Sequence, residues 1–262
     1  MDEEIENDDG HVSKNFKLAG AVEFRNVSFK YEQAEEAKTL TDVNFLVKPG
    51  MTAALVGATG AGKTTIMQLI ARFYDVDSGA ILFDGIDVRE LQRKTLRSQM
   101  AFVLQEPFLF ESSVKENIRY GRLEATDEEI IEATKKANAH DFVMKLAEGY
   151  DTVLSADGGE ISQGQKQLLS IARALVANPK ILLLDEATSS IDTVTELKIQ
   201  EALEHLMQGR TSFVIAHRLN TVRNADIVLV MHEGKLIESG LQTELIDRGG
   251  VFAKMLKESK SE

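Results

Sequence analysis

The chain has no cysteine, which excludes disulfides, zinc–thiolate centres and thiol nucleophiles and suits a reducing compartment. No apolar run approaches the roughly 18 residues needed to cross a membrane as a helix. The opening Met1-Asp2-Glu3-Glu4 is the opposite of a basic secretion leader. These absences lead to the expectation of a soluble, cytosolic polypeptide. Lys and Arg form no basic stretch, and the net charge of −12 argues against nucleic acid as the main partner. There is no internal repeat and no heptad run. What remains is an ordinary globular composition, 43% hydrophobic and 27% charged, in 262 residues. That length suits one large domain or a core with an inserted subdomain.

The charge is unevenly placed. Asp2, Glu3, Glu4, Glu6, Asp8 and Asp9 fall within the first ten residues, which hold no Lys or Arg and so carry half of the net charge. Such a run cannot bury enough apolar surface to fold. Residues 1–20 therefore read as an acidic linker or tail and 21–262 as the folded part.

What the sequence does contain is a complete Gly-x-x-x-x-Gly-Lys-Thr loop at Gly57–Thr64. An apolar strand, Met51–Val56, leads into it, and a helix leaves it near Gly62 and runs through Ala71. Glycines let backbone N–H groups turn inward around phosphate oxygens, and the helix start adds the positive end of its dipole. Lys63 can reach the β- and γ-phosphates while the Thr64 hydroxyl is placed for Mg²⁺. Gly57, Thr59, Gly60, Ala61, Gly62, Lys63, Thr64 and Thr65 are the expected triphosphate contacts.

Around this loop, Ala21–Phe29 alternates with period two and reads as a half-buried strand, and Leu40–Val47 as a second. Ser78–Gly85 adds a hairpin-like piece, so a small antiparallel sheet is expected beside the loop. From about 106 to 177 the pattern turns helical, with helix starts at Thr126-Asp127-Glu128-Glu129 and at Ser162. Apolar runs at Lys180–Asp185 and Thr211–Ala216, separated by a helix from Val194 to Met207, imply strands of a sheet covered on both faces. Asp226–Met231 and Lys235–Glu238 add strands, and one helix closes the chain.

Asp185 ends a buried strand about 120 residues after the loop, where a carboxylate can serve Mg²⁺, and Glu186 beside it can orient or deprotonate an attacking water. Taken alone, an Asp-Glu pair at a strand end is more often a cap or a solvated turn. Ser162-Gln163-Gly164-Gln165, at a helix start, offers a second anion site, though alone it is equally an ordinary capped helix.

In this order, the loop, the Ser162–Gln165 piece and Asp185-Glu186 resemble the ATP-binding cassette (ABC) ATPases, most closely the nucleotide-binding domains of ABC exporters, over about residues 21–260. The resemblance implies an α/β P-loop NTPase core of RecA-like type, with a mostly parallel sheet, a small antiparallel β subdomain and an α-helical subdomain at about 106–177. It implies that Tyr31 stacks on adenine and that Gln105, in Val103-Leu104-Gln105-Glu106-Pro107, senses Mg²⁺ and water. It implies further that Ser189-Ser190-Ile191-Asp192 crosses to a partner subunit and that His217 contacts the γ-phosphate. Ser162, Gly164 and Gln165 would cover ATP held by that partner, in a head-to-tail dimer with ATP and Mg²⁺ between the subunits. Lys63, Gln105, Glu186 and His217 are the implied catalytic set, and Thr64, Gln105 and Asp185 the metal set. The apolar stretch Phe108-Leu109-Phe110 would receive a transmembrane domain fused upstream. On that view the domain works at the cytoplasmic face of a membrane, the acidic start is a linker, and Met1 begins a piece of a longer chain.

Two departures from the family pattern stand out. Gln163 replaces the first Gly of the usual Leu-Ser-Gly-Gly-Gln, and if that position needs positive φ the exchange costs about 1–2 kcal/mol. An intact Lys63, Asp185, Glu186 and His217 beside an altered signature is similar to the catalytically intact half of heterodimeric bacterial multidrug exporters, so a heterodimer is favoured over a homodimer. The second departure is Ser155-Ala156-Asp157-Gly158-Gly159, where many exporters carry Gly-Glu. Other readings are a regulatory ATP-binding module with little turnover and a soluble cassette ATPase. An importer ATPase is a nearer cousin, but Ala216-His217-Arg218 has the exporter form.

Overall fold

The structure, a computed structural model, describes residues 16–31, 39–155, 159, 161–185, 191–216, 222 and 224–258. It divides into two compact units, one made of residues up to Met100 together with Thr211 onward, the other Ala101–Arg210.

In the first unit, strands β1 (Val22–Phe29), β2 (Leu40–Val47), β4 (Ser78–Phe83) and β5 (Ile86–Asp87) form an antiparallel sheet in the order β2-β1-β4-β5. The period-two alternation of β1 holds only to Phe24, after which Val27, Ser28 and Phe29 are all buried. The break is a register shift around Asn26, whose φ is 49°. Asn tolerates the left-handed region, and here its N–H donates to Asn44 Oδ1 at 2.8 Å and its Nδ2 to Asp42 Oδ1 at 2.8 Å. Phe24 and Phe45 stack across the pair at 4.3 Å, anchoring the register.

The same unit holds β3 (Thr52–Val56), flanked by β8 (Thr211–Ile215) and β9 (Ile227–His232), both parallel to it. β10 (Lys235–Gly240) folds back antiparallel onto β9. Every residue of β8 is buried, as expected where both faces of a parallel strand are covered. Helix α1 (Lys63–Ile70) leaves the end of β3 and buries Ile66, Leu69 and Ile70. Where the sequence suggests one closing helix there are two, α8 (Gln242–Arg248) and α9 (Val251–Glu258), parted at Gly249 with φ 65°. That glycine ends α8 in the usual left-handed way. Glu238 of β10 then caps α9, accepting from the Val251 and Phe252 N–H groups at 2.7 and 3.1 Å.

The second unit carries α3 (Val114–Arg119), α4 (Asp127–Lys136), α5 (His140–Val143), α6 (Gln163–Ala177) and α7 (Thr193–Met207), with neighbouring strands β6 (Met100–Val103) and β7 (Ile181–Asp185). α4 starts with the capping box expected of Thr126 and Glu129. β5, β6 and the short helix α2 (Arg93–Arg97), each of five residues or fewer, are too short to carry a hydrophobic period in the sequence. Among the described residues no helix is long and apolar enough to cross a membrane.

Candidate functional site

β3 ends at Val56 and the chain turns through Gly57–Gly62 into α1. Gly62 is the N-cap residue of α1 with φ 101°, a conformation that demands glycine, and a Cβ there would also press on Leu40 Cδ2 at 2.6 Å. A Cβ on Gly57 would run into the Met231 carbonyl of β9. The loop is held from outside by Gly234, in the β9–β10 turn, whose N–H donates to Ala61 O at 3.2 Å. α1 has no side-chain cap and no acid in its first turn. Its positive dipole end therefore faces the loop with no acidic side chain of its own first turn to offset it, which favours an anion. The Lys63 ammonium lies within the loop, donating to Gly57 O at 2.7 Å and Ala58 O at 2.9 Å, and the residue is 9% exposed. Thr64, next on the helix, is exposed.

Tyr31 approaches the same helix. Its hydroxyl lies 3.1 Å from Thr65 Oγ1 and 2.5 Å from Gln68 Oε1. The ring packs edge-on against Phe29 at 4.8 Å and Tyr74 at 5.1 Å. Gln68 is absent from the residues singled out in the sequence, although it shares a face with Thr64 and Thr65 at i+4 and i+3.

In the second unit, Ser162 is the N-cap of α6 and forms a capping box with Gln165. Gln165 N–H donates to Ser162 Oγ at 3.3 Å, and Ser162 N–H donates to Gln165 Oε1 at 2.9 Å. Gln163 is the first residue of the helix, is exposed, and is not among the residues at positive φ. Its exchange for glycine therefore brings no left-handed strain. Gln105 is exposed just beyond β6, and the neighbouring Leu104 O accepts from Gln167 Nε2 at 3.3 Å. Asp185 ends β7 half-buried. Asp192 caps α7, accepting from the Thr195 N–H at 3.0 Å, and that bond, together with one from the Thr195 side chain, holds its carboxyl below the usual carboxylate range. Glu186, Ser189, Ser190 and His217 lie outside the described residues, as does the stretch 156–158.

No cluster of three or more His, Cys, Asp or Glu suited to a metal occurs among the described residues. The Thr64 hydroxyl belongs to the first unit and the Asp185 carboxylate to the second, and each is an oxygen donor of the kind Mg²⁺ takes.

Of the stretch Phe108-Leu109-Phe110, Leu109 is core at 8% exposure while Phe108 is 64% exposed. Tyr120 and Leu123 are also open, at 60% and 70%. Beneath them, Arg173 donates to Asn117 O, Phe108 O and Asn117 Oδ1 at 2.8, 2.9 and 3.1 Å, and lies over the Phe110 and Tyr120 rings. Buried Asn117 accepts from the Phe110 N–H at Oδ1 and donates from Nδ2 to Phe110 O. Arg173 carries no sequence signal because its partners Phe108 and Asn117 are more than fifty positions away.

A family model described as ABC transporter matches residues 40–189. The chain is 52% identical over 97% of its length to the "Uncharacterized ABC transporter ATP-binding protein YfiC" of Bacillus subtilis, covering 42% of that protein. It is 49% identical over 92% of its length to the "Fatty acid ABC transporter ATP-binding/permease protein" of Mycobacterium bovis, covering 38%. Among solved structures, a bacterial Atm1-family ABC exporter with ATP bound superposes with a TM-score of 0.86 at 39% identity, over 97% of this chain and 43% of that one. The chain thus spans about two fifths of the length of these relatives. The α/β P-loop fold with its small antiparallel sheet is the one expected from the sequence. The chain belongs to the ABC transporter family, as an ATP-binding ATPase domain of exporter type.

Proposed function

We propose that this chain hydrolyses ATP to drive an exporter, within a longer protein whose remaining part forms the membrane path. The observation that carries the reading is the phosphate loop, with Lys63 inside a turn that opens onto the uncapped start of α1. Lys63 and the loop N–H groups bind the β- and γ-phosphates. Tyr31 orients the base side of the nucleotide. Glu186 holds the attacking water and takes its proton, His217 steadies the γ-phosphate, and Gln105 orders the water. Thr64, Asp185 and Gln105 would hold Mg²⁺, which offsets phosphate charge when bound.

The working form is a head-to-tail pair in which Ser162, Gly164 and Gln165 cover the nucleotide of a partner domain. A heterodimer is favoured because the signature is altered at Gln163 while Lys63, Asp185, Glu186 and His217 are intact; the carboxamide is exposed at the helix start and does not strain the backbone. The fused permease segments in the names of relatives support an upstream transmembrane domain. The open apolar surface at Phe108, Tyr120 and Leu123 suits contact with it at the cytoplasmic face.

Phosphate release by the purified chain tests the reading. Glu186→Gln is expected to retain ATP binding and to lose roughly 10²–10⁴-fold in turnover. Normal hydrolysis by that variant would remove Glu186 from its role, and no hydrolysis by the unsubstituted chain, alone or with a partner domain, would leave a nucleotide clamp. Full turnover by a homodimer would exclude the heterodimer.

A further inference from the structure

The starts of α6 and α7 meet at a residue that has no side chain. A Cβ built on Gly164 would overlap Thr195 Cγ2, and would lie 3.2 Å from Ile191 Cγ2 and 3.4 Å from Thr195 Cβ. Gly164 is buried in the first turn of α6, and its φ is not in the left-handed region. The helical backbone would accept any L-residue there, and alanine would serve the helix better. The Thr195 methyl is what excludes a side chain.

Thr195 is held from its other side. Its N–H donates to Asp192 Oδ1 at 3.0 Å and its side chain also bonds that carboxylate. One residue therefore ties the N-cap of α7 to the N-terminal turn of α6, which carries Ser162 and Gln163. In sequence, Asp192 follows Glu186 by only six positions. We infer that Gly164 is the seat of the Thr195 methyl, and that Thr195 is a positioning residue setting the nucleotide-covering turn of α6 against the end of the segment that follows Glu186. The inference rests on the proposed ATPase reading. It gives Gly164 a packing reason for lacking a side chain, separate from any contact with nucleotide.

A double-mutant cycle tests it, read as maximal phosphate release, half-saturating ATP and thermal midpoint. Thr195→Ser removes only the methyl and keeps the hydroxyl and N–H bonded to Asp192. Gly164→Ala is expected to lower maximal turnover at least about tenfold while half-saturating ATP moves less than about threefold. In the Thr195→Ser background the same alanine is expected to cost less than about threefold. A larger loss in that background would overturn the inference, because the added methyl would then be acting on something other than Thr195. If Gly164→Ala alone does not accumulate folded, the comparison of the double variant with Thr195→Ser carries the same two outcomes. Absence of hydrolysis in the unsubstituted chain would fail the ATPase reading instead, and the cycle is then read on thermal midpoints. Recovery of the Gly164→Ala midpoint by Thr195→Ser supports the seat, and no recovery overturns it.

Discussion

The Tyr31 hydroxyl lies 3.1 Å from Oγ1 of Thr65, so the aromatic residue after β1 is bonded directly to the first turn of the phosphate-loop helix. Tyr31→Phe keeps the ring and its edge contacts with Phe29 and Tyr74 but deletes the bonds to Thr65 and Gln68. Both bonds form without nucleotide, so only the share that positions the ring for the base reaches ATP affinity, a loss of at most about tenfold. Tyr31→Ala, which also deletes the ring, should lose more. Calorimetric titration with ATP measures both, and a Phe variant that binds like the unsubstituted chain would show that the hydroxyl serves only the apo fold.

Ser162 caps α6, and on the proposed reading it also faces a partner's nucleotide. Asp caps a helix about as well as Ser, so Ser162→Asp should leave the thermal midpoint within about 2 °C. A carboxylate facing phosphate costs about 1 kcal/mol in water and several times that at a partly dry interface. Turnover should accordingly fall at least about tenfold. A variant both stable and active would take Ser162 out of the nucleotide's reach.

The two capped helix starts at Thr126 and Ser162 and the strand–loop–helix unit at Gly57–Thr64 were legible because each is written in consecutive residues. β6 was not, since Met100–Val103 is a four-residue apolar run with no turn signal to separate it from the following stretch. Leu109 and Phe108 are equally apolar in sequence, and only the fold makes one core and the other surface. The strain left open at Gln163 depended on a backbone angle that composition does not encode. Gly164 looked like a phosphate-contact glycine, and its clash partner Thr195 is 31 positions away.

Asp192 gives a pH signature. Its folded-state carboxyl is held below its ordinary value, chiefly by the Thr195 N–H, so its contribution exists above the unfolded pKa. That contribution fades as pH falls through the folded value, which lies below the ordinary aspartate range. Asp192→Ala should therefore melt lower than the unsubstituted chain at pH 7, and the gap should narrow in acid. Thermal midpoints of both chains at pH 7, 5 and 3.5 measure it. A gap that widens in acid would mean that the carboxylate does not cap α7 in its charged form.

Arg173 is expected to be structural and to act locally. Burial pushes its guanidinium pKa below the ordinary value, and what keeps it in place is three donated bonds with the Phe110 and Tyr120 rings alongside. Arg173→Met would fill much of the space but leave the Phe108 and Asn117 carbonyls short of a donor, at a cost of about 1–3 kcal/mol. The thermal midpoint should fall by about 5 °C, with ATP affinity unchanged because the phosphate loop belongs to the other unit. Arg173→Lys should recover less than about half of the drop, since an ammonium is a compact donor that cannot reproduce the fork reaching three acceptors. If the chain works within a longer exporter, as proposed, the same Arg173→Met change should loosen the support under Phe108 and lower transport more than it lowers ATP hydrolysis. Equal losses in both would show that the Phe108 surface is not what joins this domain to its membrane partner.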